Sequence, residues 1–132
     1  EERFKTLFAQ NGWGGTWVNG IYPFHHYHAR SHEILGIAAG SVDVQFGGPG
    51  GPVVTLTAGD AVAIPAGVSH CRRSESAGLS VVGAYPRGQE DWDLKRATEA
   101  DRTQALEEIP KVALPDSDPI AGRNGRLVEL WR

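Results

Sequence analysis

Glycine and proline interrupt this chain so often that few of its segments are long enough to form a helix. The 132 residues include 17 glycines and 8 prolines, and the run GGPGGP at residues 47–52 excludes regular structure there. Between the interruptions we count about eight short strand-like segments, at the roughly 8–12-residue spacing that is typical of a sandwich or barrel. The sequence therefore predicts an all-β fold.

The strand-like segments end near residue 86. Residues 42–46 (VDVQF) alternate apolar and polar side chains, as a strand with one buried face does. Residues 79–85 (LSVVGAY) form the last clear strand of this block. We expect the strands, over about residues 16–86, to build a sandwich or a barrel.

The remaining residues have a different character. Residues 98–109 (TEADRTQALEEI) predict one short C-terminal helix, with Thr98 as its N-cap and Pro110 at its end. A proline-rich extended stretch follows the helix. For residues 127–131 (LVELW) we expect a last strand.

Length and composition limit the class of protein. A length of 132 residues corresponds to one domain over residues 1–132, with the helix and an extended tail in 87–132. The net charge of −3 gives no basic surface for nucleic acid, and no apolar run reaches the length of a membrane span. One cysteine, Cys71, excludes an internal disulfide, and we expect a cytoplasmic protein.

The histidines are concentrated in one place, since four of the five lie within residues 25–32. His26 and His28 are two apart in an extended segment, so they share a face with α-carbons about 6.6 Å apart. Glu33 lies beyond a turn and can return on an adjacent strand, and His70 would join from a distant segment. Three imidazoles and one carboxylate suit a divalent transition metal ion such as manganese, iron, nickel or zinc.

Two stretches around these residues resemble the two motifs of the cupin superfamily. In the first stretch, five residues separate Gly20 from His26-Tyr27-His28, four more precede Glu33, and six more precede Gly40. In the second, five residues separate Gly59 from Pro65-Ala66-Gly67, and two more precede His70. Ser74 stands where the second motif usually has asparagine, a position that is not a ligand in the family.

The resemblance implies a double-stranded β-helix, also called a jelly roll, with a metal ion near its open mouth. It implies that the ligands are His26, His28, Glu33 and His70. The C-terminal part is also similar to small single-domain bacterial cupins of unassigned function. Because small cupins are commonly dimers, we expect a homodimer.

Three functions follow from the resemblance. The first is an enzyme that acts on a small oxygen-bearing organic molecule at the ion, as a dioxygenase, decarboxylase or isomerase. The second is a non-catalytic module that binds or senses a small molecule. The third is a purely structural ion with a closed set of four ligands, which the mixed histidine and glutamate set disfavours.

Other side chains near the motifs have supporting roles or none. We expect His25 and His32 to orient neighbouring groups, although His32 could replace Glu33 if the turn shifts by one residue. Cys71 should face away from His70 as an inert buried thiol.

Six residues are candidates for a substrate pocket or are solvated edge residues: Tyr22, Tyr27, Arg30, Gln45, Arg72 and Arg73. Four tryptophans should cover the barrel or build an interface: Trp13, Trp17, Trp92 and Trp131.

Overall fold

The computed structural model describes residues 1–131. The described strands are β1 (Trp13–Asn19), β2 (His26–Tyr27), β3 (Glu33–Ala39), β4 (Ser41–Phe46), β5 (Val53–Thr57), β6 (Ala61–Ile64), β7 (His70–Glu75), β8 (Ser80–Pro86) and β9 (Lys95–Arg96). The described helices are α1 (Glu2–Gln10), α2 (Glu99–Glu108) and α3 (Arg126–Leu130), with a 3₁₀ turn (Ile109–Lys111) directly after α2.

The strands form two antiparallel sheets. The first sheet has the order β1-β8-β3-β6, and the second has the order β5-β4-β7-β2-β9. Consecutive strands repeatedly cross from one sheet to the other, as in a jelly roll. The expectation of an all-β jelly roll is confirmed.

The core between the sheets is built from alternating side chains. Val42 and Val44 of β4 are buried, and Leu35 and Ile37 of β3 pack in the same cluster from the other sheet. Asp43, which lies between the two valines, is partly exposed. The alternation predicted for residues 42–46 therefore places one face of β4 in the core.

Helix α1 packs on the outer face of the first sheet, and the sequence patterns above did not predict it. Phe4 and Phe8 lie four residues apart, so their rings share a face of the helix with centroids 5.5 Å apart. Phe4 lies directly on Gly36 of β3, where an added Cβ would come within 2.6 Å of the ring. Phe8 belongs to a second buried cluster with Ile34 and Val82. Strand β3 is thus buried on both faces.

The C-terminal segment contains two helices. The Thr98 hydroxyl accepts the backbone N–H of Asp101, which confirms Thr98 as the N-cap of α2. The prediction of a strand at residues 127–131 is wrong, because α3 occupies this stretch. A short apolar run has no periodicity that separates strand from helix. The carboxylate of Asp118 accepts the backbone N–H of Leu127, which satisfies a free donor in the first turn of α3.

None of the helices within residues 1–131 has the length and apolar character that crossing a membrane requires. The assignment of residues 1–132 to one domain stays a prediction. The strands that carry the first motif, β2 and β3, lie in different sheets, and β7 is the neighbour of β2. The fold therefore brings the motif side chains together from two sheets.

Candidate metal centre

The four predicted ligands lie at one end of the jelly roll. His26 on β2 is paired directly with His70 on β7, and His28 follows β2 in the turn that leads to the other sheet. Glu33 begins β3 in that sheet. All four side chains are buried, although each lines a cavity.

Three of the four form a compact group around the carboxylate of Glu33. Its Oε2 lies 3.3 Å from Nε2 of His28, and its Oε1 lies 3.3 Å from Nε2 of His70. One ligand atom from each of the three residues lies within 4.8 Å of the others. Two nitrogens and one oxygen at this separation can share one metal ion.

His26 lies beside this group but is not part of it. Its ring centroid is 4.1 Å from that of His70 and 6.2 Å from that of His28. An ion held by His28, Glu33 and His70 would therefore have the His26 imidazole as its neighbour. The structure brings together three of the predicted ligands and places the fourth next to them.

The three imidazoles share one orientation. Nδ1 of His26 contacts the carbonyl oxygen of Phe24 at 2.9 Å, and Nδ1 of His28 contacts that of Asp93. Nδ1 of His70 has a longer contact of 3.4 Å to the carbonyl oxygen of Val68. A carbonyl only accepts, so Nδ1 carries the hydrogen in each ring, and Nε2 is left as the metal-binding atom.

Burial and mutual contact control the charges at the centre. Burial alone raises the pKa of Glu33, but hydrogen bonds from His28 and His70 outweigh it and lower the pKa to about 2. Burial, together with the neighbouring His70, lowers the pKa of His26 to about 4. His26 is therefore a neutral imidazole and Glu33 a carboxylate at neutral pH, the forms in which both bind metals.

The pKa of His28 is shifted in the opposite direction from that of His26. Burial is the largest single cause and lowers the pKa of His28, but the hydrogen bond and charge of Glu33, together with the contacts of Asp93, outweigh burial and raise the pKa. A metal ion requires the neutral ring, so an ion and a proton would compete for Nε2 of His28.

A pair of side chains that the sequence did not indicate supports Glu33 from behind. The hydroxyl of Tyr85 donates to Oε2 of Glu33 at 2.7 Å, and Nε1 of Trp17 donates to the same hydroxyl oxygen at 2.7 Å. Burial and the neighbouring carboxylate raise the pKa of Tyr85 far above its usual range, so the hydroxyl remains a donor. The Trp17 ring reaches this position because it lies over Gly83, where an added Cβ would come within 2.2 Å.

A cavity of about 380 Å³ opens beside the centre. Four aromatic side chains form much of its wall: Trp17, Tyr22, Tyr85 and Trp92. Of the six candidates for a substrate pocket, Tyr22 and Arg72 line the cavity. The other candidates are not part of its described wall: Tyr27, Arg30, Gln45 and Arg73. The volume suits a small organic molecule.

The segment of residues 87–94, which we call the strap, lies outside regular structure apart from turns and crosses the turn that carries His28. The carboxylate of Asp93 accepts the backbone N–H groups of Ala29 and Arg30, both at 3.0 Å. The side chain of Gln89 accepts the backbone N–H of His32 at 2.9 Å. Because the Asp93 carbonyl also contacts Nδ1 of His28, the strap holds both the turn and a ligand ring.

Lys95 connects the strap to α2. Its ammonium group donates to Gln104 at 2.6 Å and lies 3.3 Å from Oε1 of Glu108 and 3.8 Å from Oδ2 of Asp93. Lys95 is only 8% exposed, so these groups compensate a buried charge. Helix α2 is thereby linked through Asp93 to the turn beside the centre.

His32, His25 and Cys71 have no direct place in the compact group. Nδ1 of His32 accepts the backbone N–H of Ala66 at 2.8 Å, which ties the first motif to the second. His25 is half-buried, and its Nδ1 has no hydrogen-bond partner among residues 1–131. Cys71 is a buried free thiol, as expected.

The four tryptophans divide into three groups. Trp17 and Trp92 line the cavity. Trp13 is buried in the cluster under α1 and donates to the carbonyl of Ser117. Trp131 packs against the His32 ring with centroids 4.9 Å apart. The expectation that they cover the barrel thus fits Trp13, whereas two of them face the cavity.

Comparison with protein families supports the resemblance read from the motifs. The family model described as "Cupin domain" matches residues 17–82. The matched range contains all four predicted ligands and ends before the strap. The resemblance to the cupin superfamily is confirmed.

Known proteins similar to this chain include one close sequence relative. The chain is 39% identical over 127 residues to "Uncharacterized protein YjlB" of Bacillus subtilis (strain 168), which covers 96% of this chain and 76% of that protein. Because 127 of the 132 residues are matched, the similarity includes the strap and α2 as well as the barrel.

Two solved structures resemble parts of the fold. The DMSP lyase DddQ from Ruegeria pomeroyi DSS-3 is 26% identical with a TM-score of 0.50, over 62% of this chain and 42% of that one. A cupin protein from Bacteroides fragilis is 21% identical with a TM-score of 0.45, over 55% of this chain and 64% of that one. The chain therefore spans less than two thirds of either structure.

Proposed function

This chain belongs to the cupin family, and on that premise we propose that it binds one divalent transition metal ion and acts on a small organic molecule beside it. The side chains that would hold the ion are His26, His28, Glu33 and His70. The substrate would occupy the adjoining cavity of about 380 Å³.

The observation that carries this proposal is the common orientation of the three imidazoles. Nε2 of His28 and Nε2 of His70 face the Glu33 carboxylate, and a backbone carbonyl contacts Nδ1 of these two rings and of His26. Fixing the ring by a contact on the opposite nitrogen is how proteins prepare metal-binding histidines. The low pKa of Glu33 keeps a carboxylate among them.

A bound ion would supply Lewis acidity and a fixed point for an oxygen atom of the substrate. Manganese, iron, nickel and zinc all accept such a set of nitrogen and oxygen ligands. Around the ion, Tyr85 and Trp17 would hold the Glu33 carboxylate in place, and the aromatic wall would exclude water from the reacting molecule.

Among the reaction types, we place decarboxylation or a related lyase reaction ahead of dioxygenation and isomerisation. One structural relative is a DMSP lyase, and decarboxylases are also lyases. The choice of a lyase reaction rests on this similarity, whereas the metal site rests on the geometry of the centre.

Metal analysis of protein purified without chelator tests the first step. We expect about one transition metal ion per chain, because the predicted set belongs to a single mononuclear centre. His70→Ala should lose the ion, whereas His25→Ala should keep it, since His25 is a half-buried histidine of the same segment outside the compact group. A wild-type protein that takes up no ion after reloading would contradict the proposal.

A non-catalytic binding module is the main alternative, since the same cavity would serve it. Turnover distinguishes the two, because a module leaves every bound molecule unchanged. A purely structural ion is less well supported. All four predicted ligands line the cavity, and a closed structural site would leave no position open toward it.

Two further expectations stay predictions. A homodimer would be seen as a doubled mass by sedimentation at micromolar concentration. A cytoplasmic location would be tested by fractionation of cells that express the protein.

A further inference from the structure

The cavity wall contains one permanently charged cation among the described residues, and this cation is Arg72. The other ionisable groups of the wall are Glu33, the three imidazoles of the centre and two tyrosines. An arginine remains charged at any pH at which proteins fold, and its planar group donates two parallel hydrogen bonds to a carboxylate.

Arg72 lies close to the metal centre because of strand geometry. It follows His70 by two residues on β7, so both side chains project from the same face of the sheet. Their α-carbons are separated by about 6.6 Å along the strand. Arg73, the next residue, belongs to the opposite face and is exposed. The strand therefore places one arginine toward the centre and its neighbour away from it.

The contact that Arg72 makes with Glu75 leaves it available to a ligand. Nη1 of Arg72 lies 3.2 Å from Oε1 of Glu75, and the Glu75 side chain is 40% exposed. Solvent-exposed pairs of this kind are weak. The guanidinium group has further N–H donors that this single contact does not use.

Charge also favours an anion in the cavity. A divalent ion and Arg72 together outweigh the negative charges of Glu33 and of Glu75, which lies beside Arg72, and the imidazoles that bind a metal are neutral. A cavity with apolar walls concentrates this positive potential. An anionic ligand would thus be attracted to the same cavity that would hold the substrate.

The aromatic wall indicates the body of the ligand. Tyr85 and Trp92 are stacked with centroids 5.9 Å apart, and Tyr22 meets the His26 ring edge-on at 5.3 Å. Rings in such arrangements pack favourably on a flat unsaturated molecule.

We propose that the cavity binds a small aromatic carboxylate whose carboxylate pairs with Arg72 while its ring packs against the aromatic side chains of the wall. This inference rests on the proposed function, since it places the ligand beside the proposed ion. It assigns Arg72 as the residue that selects carboxylates over neutral analogues.

Binding of phenylacetate and of its neutral analogue phenylacetamide to the zinc-loaded protein tests the assignment. Trp17 and Trp92 line the cavity, so quenching of tryptophan fluorescence reports binding without any turnover. We expect Arg72→Gln to weaken phenylacetate binding about tenfold, the usual effect of losing a charged hydrogen-bond partner. Binding of phenylacetamide should change less than about twofold, because its neutral amide forms no ion pair with Arg72.

Arg73→Gln is the matched control, because it removes the same charge from the next residue. It should leave phenylacetate binding unchanged, and Arg72→Lys should restore part of the affinity. Equal effects of the two glutamine variants, or no preference of the wild-type protein for phenylacetate, would overturn the inference.

The same titration without zinc separates this inference from the proposed function. If the protein takes up no metal but phenylacetate binding still depends on Arg72, the proposed metal site fails and the carboxylate site stands. If zinc binds and removal of zinc abolishes phenylacetate binding while Arg72→Gln does not change it, the carboxylate binds the ion and the assignment of Arg72 fails.

Discussion

The strands that carry the candidate ligands and the strap that crosses them meet at the same centre, but they are built differently. His26 and His70 are held in register by the ladder between β2 and β7, and Glu33 begins a strand buried on both faces. The strap of residues 87–94 has no such ladder and is held by individual contacts of Gln89 and Asp93. The strands thus fix where ligands lie, whereas the strap fixes how one of them is oriented.

This difference gives a general expectation for variants. Loss of a ligand should remove the ion while leaving most of the fold, because the ladders do not depend on these side chains. Loss of a strap contact should change metal affinity and local stability together, because the turn beside His28 depends on it.

Replacement of Glu33 by glutamine should cause the largest loss. Glu33→Gln keeps the shape of the side chain but removes the negative charge between His28 and His70, so metal affinity should fall more than about a hundredfold. Metal titration followed by calorimetry measures this. Glu107→Gln, which removes an exposed charge on α2, is the control and should keep wild-type affinity. Full metal uptake by Glu33→Gln would contradict the assignment of Glu33 as a metal ligand.

Asp93→Ala should have the next largest effect. It leaves the backbone N–H groups of Ala29 and Arg30 without their acceptor and loosens the turn after His28. We expect metal affinity to fall by about tenfold and the free energy of unfolding to fall by about 1–3 kcal/mol. Calorimetry and urea unfolding measure the two quantities.

Asp91→Ala is the matched control for this strap variant, because Asp91 is an exposed aspartate two residues earlier. Both quantities should keep their wild-type values in it. If Asp93→Ala lowers stability but not metal affinity, the strap stabilises the fold but does not orient a metal ligand.

Tyr85→Phe tests support of the centre from inside the barrel. It removes the hydroxyl that donates to Glu33 and accepts from Trp17, so two buried groups lose a partner. Stability should fall by about 1–3 kcal/mol, and metal affinity by several-fold. Tyr22→Phe, from the more exposed part of the same cavity wall, is the control. Equal behaviour of the two variants would show that the Tyr85 hydroxyl has no special role.

Gln89→Ala should have the smallest effect. Its side chain accepts from the backbone of His32 and donates to the carbonyl of Ala113, both outside the compact group. We expect a loss of about 0.5–1.5 kcal/mol in the free energy of unfolding and unchanged metal content. Thermal unfolding and metal analysis check this. Loss of the ion would mean that metal binding depends on Gln89 as well as on Asp93.

Local periodicity in the sequence predicted the all-β fold, and the spacing of the two motifs implied the jelly roll and the candidate ligands through the family resemblance. Alternation in residues 42–46 corresponds to a half-buried strand, and the fixed spacing from Gly20 to Glu33 corresponds to a strand, a turn and a return. The cap at Thr98 is equally local. Helices α1 and α3 were not predicted. The apolar run at residues 127–131 is too short for its periodicity to separate helix from strand, and α1 is held by the packing of Phe4 and Phe8 on the first sheet.

The parts of the site that sequence reasoning missed share one property. Tyr85 contacts Glu33 across 52 positions of the chain, and the Asp93 carboxylate reaches the Ala29 backbone across 64. Neither residue type nor spacing marks such partners, because a tyrosine in a strand or an aspartate in a loop has many ordinary roles. The sequence likewise does not distinguish Trp92 from the other three tryptophans.

The amino-acid sequence by itself determined the class of fold, the family motifs and the types of side chain that would bind an ion, because these depend on residue chemistry and short-range spacing. Three features emerge only in the tertiary structure: Nε2 of His28 and of His70 faces Glu33, Tyr85 supports Glu33, and Arg72 lies in the cavity wall while Arg73 does not contribute to it. The physical reason is that hydrogen bonds and cavity walls are formed between segments far apart in the chain, which only the packing of the two sheets brings together.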